Sequence, residues 1–147
     1  PEKQALAESA GAHWVVNYRT EDVAARVAEI TTGVDRIVEV EFGGNLATSL
    51  QVLQVGGTIA TYASQRVPTP TVPFYELMYR SLVVRHVLTF QTPERLLQEA
   101  VSAIEGWLAE DQLSHHIHST YPLAETVAAH QAVEQGTVGK VLIQIAP

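Results

Sequence analysis

Three histidines crowd into four positions, His115, His116 and His118, the densest group of potential metal ligands in the chain. On an extended segment positions 116 and 118 share a face and offer two imidazole ligands. The chain contains no cysteine, and Asp111 is the nearest acid, so the spacing favours a solvated polar strand over a metal centre. Asp35 and Glu39 flank another stretch, but nothing in their spacing brings a histidine to them, and no nucleophile–base–acid set can be read from residue order. Gly43-Gly44 and Gly56-Gly57 are the glycine pairs that invite a phosphate-cradle reading. Gly43-Gly44 lacks the further glycine of such a turn, and Gly56-Gly57 closes a helical pattern instead of opening one, so turn geometry is the expected role of both.

The elements that would position these groups alternate between helix and strand. Lys3–Ala10 reads as a short helix, with Pro1 in its first turn and Gly11 as its stop. Trp14–Tyr18 reads as a strand, and Thr20 as the N-cap of a helix that carries Val23, Val27 and Ile30 on one face and ends at Gly33. Val34–Val40 is a β-branched strand. Asn45 is the expected cap of a helix presenting Leu46, Leu50 and Leu53, followed by a strand over Thr58–Tyr62. Pro68, Pro70 and Pro73 make Ser64–Pro73 an extended loop. A short helix over Phe74–Arg80 leads to a strand from Leu82 to Thr89. Thr92-Pro93-Glu94 opens a long helix, and His115–Tyr121, Leu123–Gln135 and Val141–Ile145 read as strand, helix and strand. Apolar strands around Val38 and Val84 imply that both sheet faces are covered. The fold class is α/β, a mostly parallel sheet with flanking helices.

Ligands of open parallel sheets sit at the C-terminal ends of the strands. Glu41, Tyr62, Ala63, Ser64, Leu88 and Thr89 fall there and are the candidate binding residues. The apolar run Leu82–Thr89 falls at a sheet edge, which invites pairing with a second chain.

Composition narrows the classes of function. The 147 residues are 46% apolar and carry a net charge of −7, which argues against binding a phosphate backbone through Lys and Arg. No apolar run approaches the ~18 residues of a membrane span. The chain begins with Pro1, without a basic or apolar leader, so it is expected to be a piece of a longer chain.

Gly11-Ala12, Asn17-Tyr18-Arg19, Gly56-Gly57 before a strand, Tyr121-Pro122-Leu123, Ala129-His130 and Gly139-Lys140-Val141 occur in an order that resembles one family. It is the C-terminal part of zinc-independent medium-chain dehydrogenase/reductases, the quinone oxidoreductase and zeta-crystallin group. The resemblance covers nearly the whole chain. It implies a doubly wound, Rossmann-type sheet lacking its first two strands, with residues 1–112 an incomplete dinucleotide-binding domain and 113–147 a tail returning to a catalytic domain. It implies a cytoplasmic enzyme passing hydride from NADPH to a quinone or enone, no catalytic side chain in this part, and a homodimer through the Leu82–Thr89 edge.

The same resemblance assigns Lys3 and Tyr18 to the NADPH 2′-phosphate, an ammonium and a phenol suited to a dianion. It places the strand-end segments against adenosine and nicotinamide. Glu41, Phe42 and Tyr62 are bulkier or more charged than the family's usual small residues, and a carboxylate facing a pyrophosphate is repulsive, so Glu41 is expected to turn away. The isolated chain is expected to be inactive. The alternatives are a zinc-type alcohol dehydrogenase or enoyl reductase relative, or a non-catalytic nucleotide-binding, RNA-binding or structural module.

Overall fold

The computed structural model describes residues 2–145, and Pro1, expected in the first turn of the first helix, lies outside them. The chain divides into two compact units, residues 16–99 and residues 2–15 with 100–145.

In the unit of residues 16–99, α2 (Val23–Ile30) precedes β1 (Val34–Glu39), α3 (Phe42–Val52), β2 (Leu53–Thr61), α4 (Phe74–Tyr79) and β3 (Val83–His86). The strands form a parallel sheet in the order β1-β2-β3. Ile37, Ile59 and Val84 stand in register across it and pack with Phe42, Leu46, Leu50 and Leu53, so α3 covers this face. Parallel strands and covering helices are what the alternating pattern requires. The coverage stops at one face, however. Val38 is 80% exposed and Val40 55%, so the expectation that the apolar strands have no wet face fails for β1.

Three local expectations change for identifiable reasons. Trp14–Tyr18 is not a strand. Asn17 closes a turn in which its side chain accepts from the N–H of Arg19 and its carbonyl from those of Thr20 and Glu21, which bends the chain out of extended geometry. The N-cap of α2 is Asp22, not Thr20, with its carboxylate accepting from Ala25 N–H at 2.9 Å. Helix α3 begins three residues before Asn45. Phe42 N–H donates to Ala63 carbonyl and Gly43 N–H to Ser64 Oγ, so a segment some twenty residues later replaces a side-chain cap.

The glycine pairs follow from this. Gly43 and Gly44 lie inside the first turn of α3, and a Cβ on Gly43 would stand 2.4 Å from the Val67 carbonyl oxygen. Close approach, not a turn, excludes a side chain there. Gly56 adopts φ +78° within β2, beside the irregularity that shifts the register against β1. Strand β3 is shorter than Leu82–Thr89. Its ladder with β2 ends at His86, and Thr89 opens a 3-10 turn (Thr89–Gln91) tied back to Leu88 through Gln91 N–H.

In the other unit, α1 (Glu2–Ser9) ends in a turn where Gly11 takes φ +101°. Helix α5 (Glu94–Ala109) spans the division between the units. Strands β4 (Ile117–Pro122) and β5 (Lys140–Gln144) pair in parallel, connected through α6 (Thr126–Glu134), whose Ala129 is buried. No described helix is long and apolar enough to cross a membrane.

Candidate functional site

Two cavities open at the C-terminal ends of the strands in the unit of residues 16–99. The larger, about 850 Å³, runs from the end of β1 along the groove between α2 and α3 and is bordered by Tyr18, Asp22, Val23, Glu39, Glu41, Asn45, Ser49, Val52 and Arg66. The second, about 460 Å³, lies beyond β2 and β3, between Phe42, Tyr62, Ala63, Ser64, Pro70 and Leu88. These are the edges at which a parallel sheet presents its loops to a ligand.

The strand-end candidates therefore divide. Glu41 and Tyr18 border the larger cavity, and Tyr62, Ala63, Ser64 and Leu88 the smaller. Thr89 sits in the 3-10 turn beyond it. Lys3 belongs to the other unit, where it lines an open cavity of about 380 Å³ with Ser9, His115 and His116. Lys3 and Tyr18 are thus each described within a separate unit.

Glu39 is 7% exposed, and its carboxylate is supplied with donors by α3 and by Glu41, the residue that precedes that helix. Oε1 accepts from Glu41 N–H at 2.6 Å and from the Asn45 amide at 3.0 Å, and Oε2 from Ser49 Oγ at 3.5 Å. A buried carboxylate persists when its lone pairs are satisfied in this way. Asn45, expected as a helix cap, is instead committed to this network.

Glu41 borders the larger cavity with its carboxylate already engaged. Its carboxylate accepts from three successive backbone N–H groups, those of Gln65 and Arg66 at 3.0 Å and of Val67 at 3.4 Å. The Arg66 N–H, foremost, holds the carboxyl below the usual carboxylate range against an opposing desolvation, with further help from the N–H groups of Val67, Gly44 and Gln65. Ser64 completes the junction, its hydroxyl accepting from Gly43 and donating to the Val67 carbonyl at 2.5 Å.

The consequence for ligand chemistry is specific. The N–H groups at the start of α3 that could greet an anion are already paired, with Glu39, Ala63, Ser64 and the Glu41 carbonyl. This edge suits a nucleoside or an aromatic ring better than a pyrophosphate. Arg66, bordering the larger cavity, is its one basic side chain among the described residues, against four carboxylates from Glu21, Asp22, Glu39 and Glu41. Sequence reasoning missed Arg66 because an isolated arginine in a proline-rich loop carries no local signal.

A family model described as zinc-binding dehydrogenase matches residues 10–143. The chain belongs to that family. Among solved structures it is similar to a 2-haloacrylate reductase, with 28% identity and a TM-score of 0.84 over 99% of this chain and 48% of that one. It is similar to mycobacterial Rv1454c, solved in complex with NADPH, with 28% identity and a TM-score of 0.78 over 98% and 46% of the two chains. A Pseudomonas syringae quinone oxidoreductase shares the fold at 24% identity, with a TM-score of 0.79 over 99% and 46%. The chain spans less than half the length of these structures. No curated protein matches it.

Zinc is the metal that the family's description implies. This dehydrogenase-family chain has no cysteine, and among the described residues no three His, Asp or Glu side chains are placed to share a metal ion. The residues present do not fit a zinc centre.

Proposed function

We propose that the chain is the cofactor-binding part of an NADPH-dependent oxidoreductase that reduces an activated alkene or a quinone. The observation that carries this is the pair of cavities at the C-terminal strand ends, sized for the two halves of a dinucleotide and fed by backbone-rich loops. The similar structures support it. One is a 2-haloacrylate reductase, and a haloacrylate is an alkene activated by a carboxylate; another was solved with NADPH.

When bound, NADPH supplies the hydride. The residues of this chain bind, orient and exclude water. In this reading adenosine lies in the larger cavity, where Glu39 and Asn45 fix the rim and Arg66 faces the phosphates. The nicotinamide lies in the smaller one, where Phe42, Tyr62, Val72 and Leu88 supply apolar walls and the Ala63–Ser64 backbone sets its height. Tyr18, on the rim of the larger cavity, is assigned to the 2′-phosphate. The start of α3, whose N–H groups are already paired, takes no part in holding the pyrophosphate. Residues 1–112 then form the cofactor domain and 113–147 the returning tail of a cytoplasmic enzyme.

Titration of the purified chain with NADPH, followed by cofactor fluorescence, tests the reading. Saturable binding that weakens more for NADPH than for NADH in Tyr18→Phe supports it, and absence of saturable binding overturns it. We further assign β3 as a dimer-forming edge, since it is the outer strand of its sheet and Val83, Val87 and Leu88 near it are exposed. A single monomeric species by sedimentation at micromolar concentration would refute that assignment.

A further inference from the structure

The segment from Ser64 to Pro73 is the wall that the cavities share. Ser64, Pro68, Pro70 and Val72 border the smaller cavity, and Arg66 the larger. Val67, Pro70, Thr71 and Pro73 line a third space of about 540 Å³ against α3. Three of its ten residues are prolines, which donate no backbone hydrogen bond, so the segment has little means of holding itself in place.

What fixes it is concentrated at one end. Glu41 receives the N–H groups of Gln65, Arg66 and Val67, Ser64 Oγ joins Gly43 to Val67, and the Ala63 carbonyl receives Phe42 N–H. Successive N–H groups of a turn form a concavity with net positive potential. Here the chain fills that concavity with its own carboxylate. Gly43 makes the approach possible, because a Cβ there would also stand 2.8 Å from Ser64 Oγ.

We infer that Glu41 is a positioning residue, a carboxylate clamp that seats residues 64–67 on the first turn of α3 and so sets the shape of the cofactor cleft before ligand arrives. The inference rests on the cofactor reading for what the cleft holds, but the clamp itself is a property of this chain. Preorganising a wall in this way removes an ordering cost from binding. Glu41 borders the larger cavity, and its role in this scheme is exerted through the loop.

The test uses hydrogen exchange of the purified chain together with NADPH titration. In Glu41→Gln, exchange at the amides of Gln65, Arg66 and Val67 should accelerate by about tenfold or more, since hydrogen bonds to a charged acceptor are the stronger class. The Ile59 amide in the sheet should be unchanged, which shows that the fold persists. NADPH affinity should fall by about tenfold. Glu41→Asp, which keeps the charge on a shorter stem, should recover part of both effects. Gly43→Ala should open the same loop from the other side and weaken NADPH similarly with the carboxylate intact. Unchanged exchange at residues 65–67 in Glu41→Gln overturns the clamp, as does a Gly43→Ala variant with faster loop exchange and undiminished affinity. If the wild-type chain shows no saturable NADPH binding, the cofactor reading fails by itself, while the exchange data still decide the clamp.

Discussion

The two faces of the three-stranded sheet are built from similar residues and meet opposite fates. On one, Ile37, Ile59 and Val84 run in register beneath α3, and Ile59 has no exposed surface. On the other, one residue along, Val38, Ala60 and Arg85 form the next row, and Val38 lies almost fully open. A period of two separates the rows, so every strand contributes to both faces. The contrast teaches that the apolar content of a strand specifies burial on both sides, while the helices packed within this unit satisfy only one. Residues such as Val38 and Val40 are therefore written for a cover that this unit does not itself supply.

The largest effect that would break or sharpen this contrast is on stability. Ile59→Ala should lower the free energy of unfolding by about 2–5 kcal/mol in urea titrations, the range for buried aliphatic truncation. Val38→Ala, on the neighbouring row, should change it by no more than about 0.5 kcal/mol. Equal losses would show that the open face is covered in solution.

A smaller effect belongs to Arg80, which ties the covering helix down. Its guanidinium donates to the carbonyls of Leu50, at 2.7 Å, and Leu53, and pairs with Glu76 at 3.2 Å. Arg80→Ala should cost about 1–3 kcal/mol, as expected when carbonyls at a helix end lose a charged donor. Arg80→Lys should recover only part of it, because an ammonium does not reproduce the planar fork.

Next comes a pH effect at the rim of the covered face. The Glu41 carboxyl is held below its ordinary value by the N–H groups of residues 65–67 and Gly44, with Glu21, Asp22, Glu39 and Arg66 the other charged groups bordering the cavity. The charged form is thus favoured in the folded state. Its stabilisation is complete above the ordinary carboxylate range and is lost as pH falls through the depressed value. Acid unfolding followed by circular dichroism should show this loss in the wild type. The contribution should be missing from the pH profile of Glu41→Gln, and identical profiles would remove Glu41 from the account.

The smallest expected effect is on the open face. Replacing Val38 and Val40 together with Thr should leave stability nearly unchanged while reducing binding of an apolar fluorescent dye. Undiminished dye binding would locate the exposed apolar surface elsewhere.

Much of this architecture is legible in the residues. The alternation of helical and β-branched segments gives the parallel α/β order, and Gly11 and Gly136 end helices where a positive φ is needed. What escaped local reading depends on partners distant in sequence. Nothing near Phe42 announces that Ala63 and Ser64 will receive its helix's first N–H groups, so Asn45 looks like the cap. Trp14–Tyr18 has strand composition, yet Asn17 satisfies its neighbours in a turn. At the site, the strand-end rule finds Tyr62, Ala63, Ser64 and Leu88 at a cavity without any contact information. It places Glu41 at the right edge, while the direction of its carboxylate depends on a loop 24 to 26 residues downstream.

Helix α3 is closed at both ends by residues that follow it in the chain. Its first turn is received by residues 63–67, and its last carbonyls by Arg80. During synthesis, then, the helix that covers the sheet emerges before either of its stoppers. It waits with frayed ends until about thirty further residues have been made, a delay of a few seconds at ordinary elongation rates. The order of manufacture closes this helix only after the strand it leads into has been made, although the helix is written before that strand.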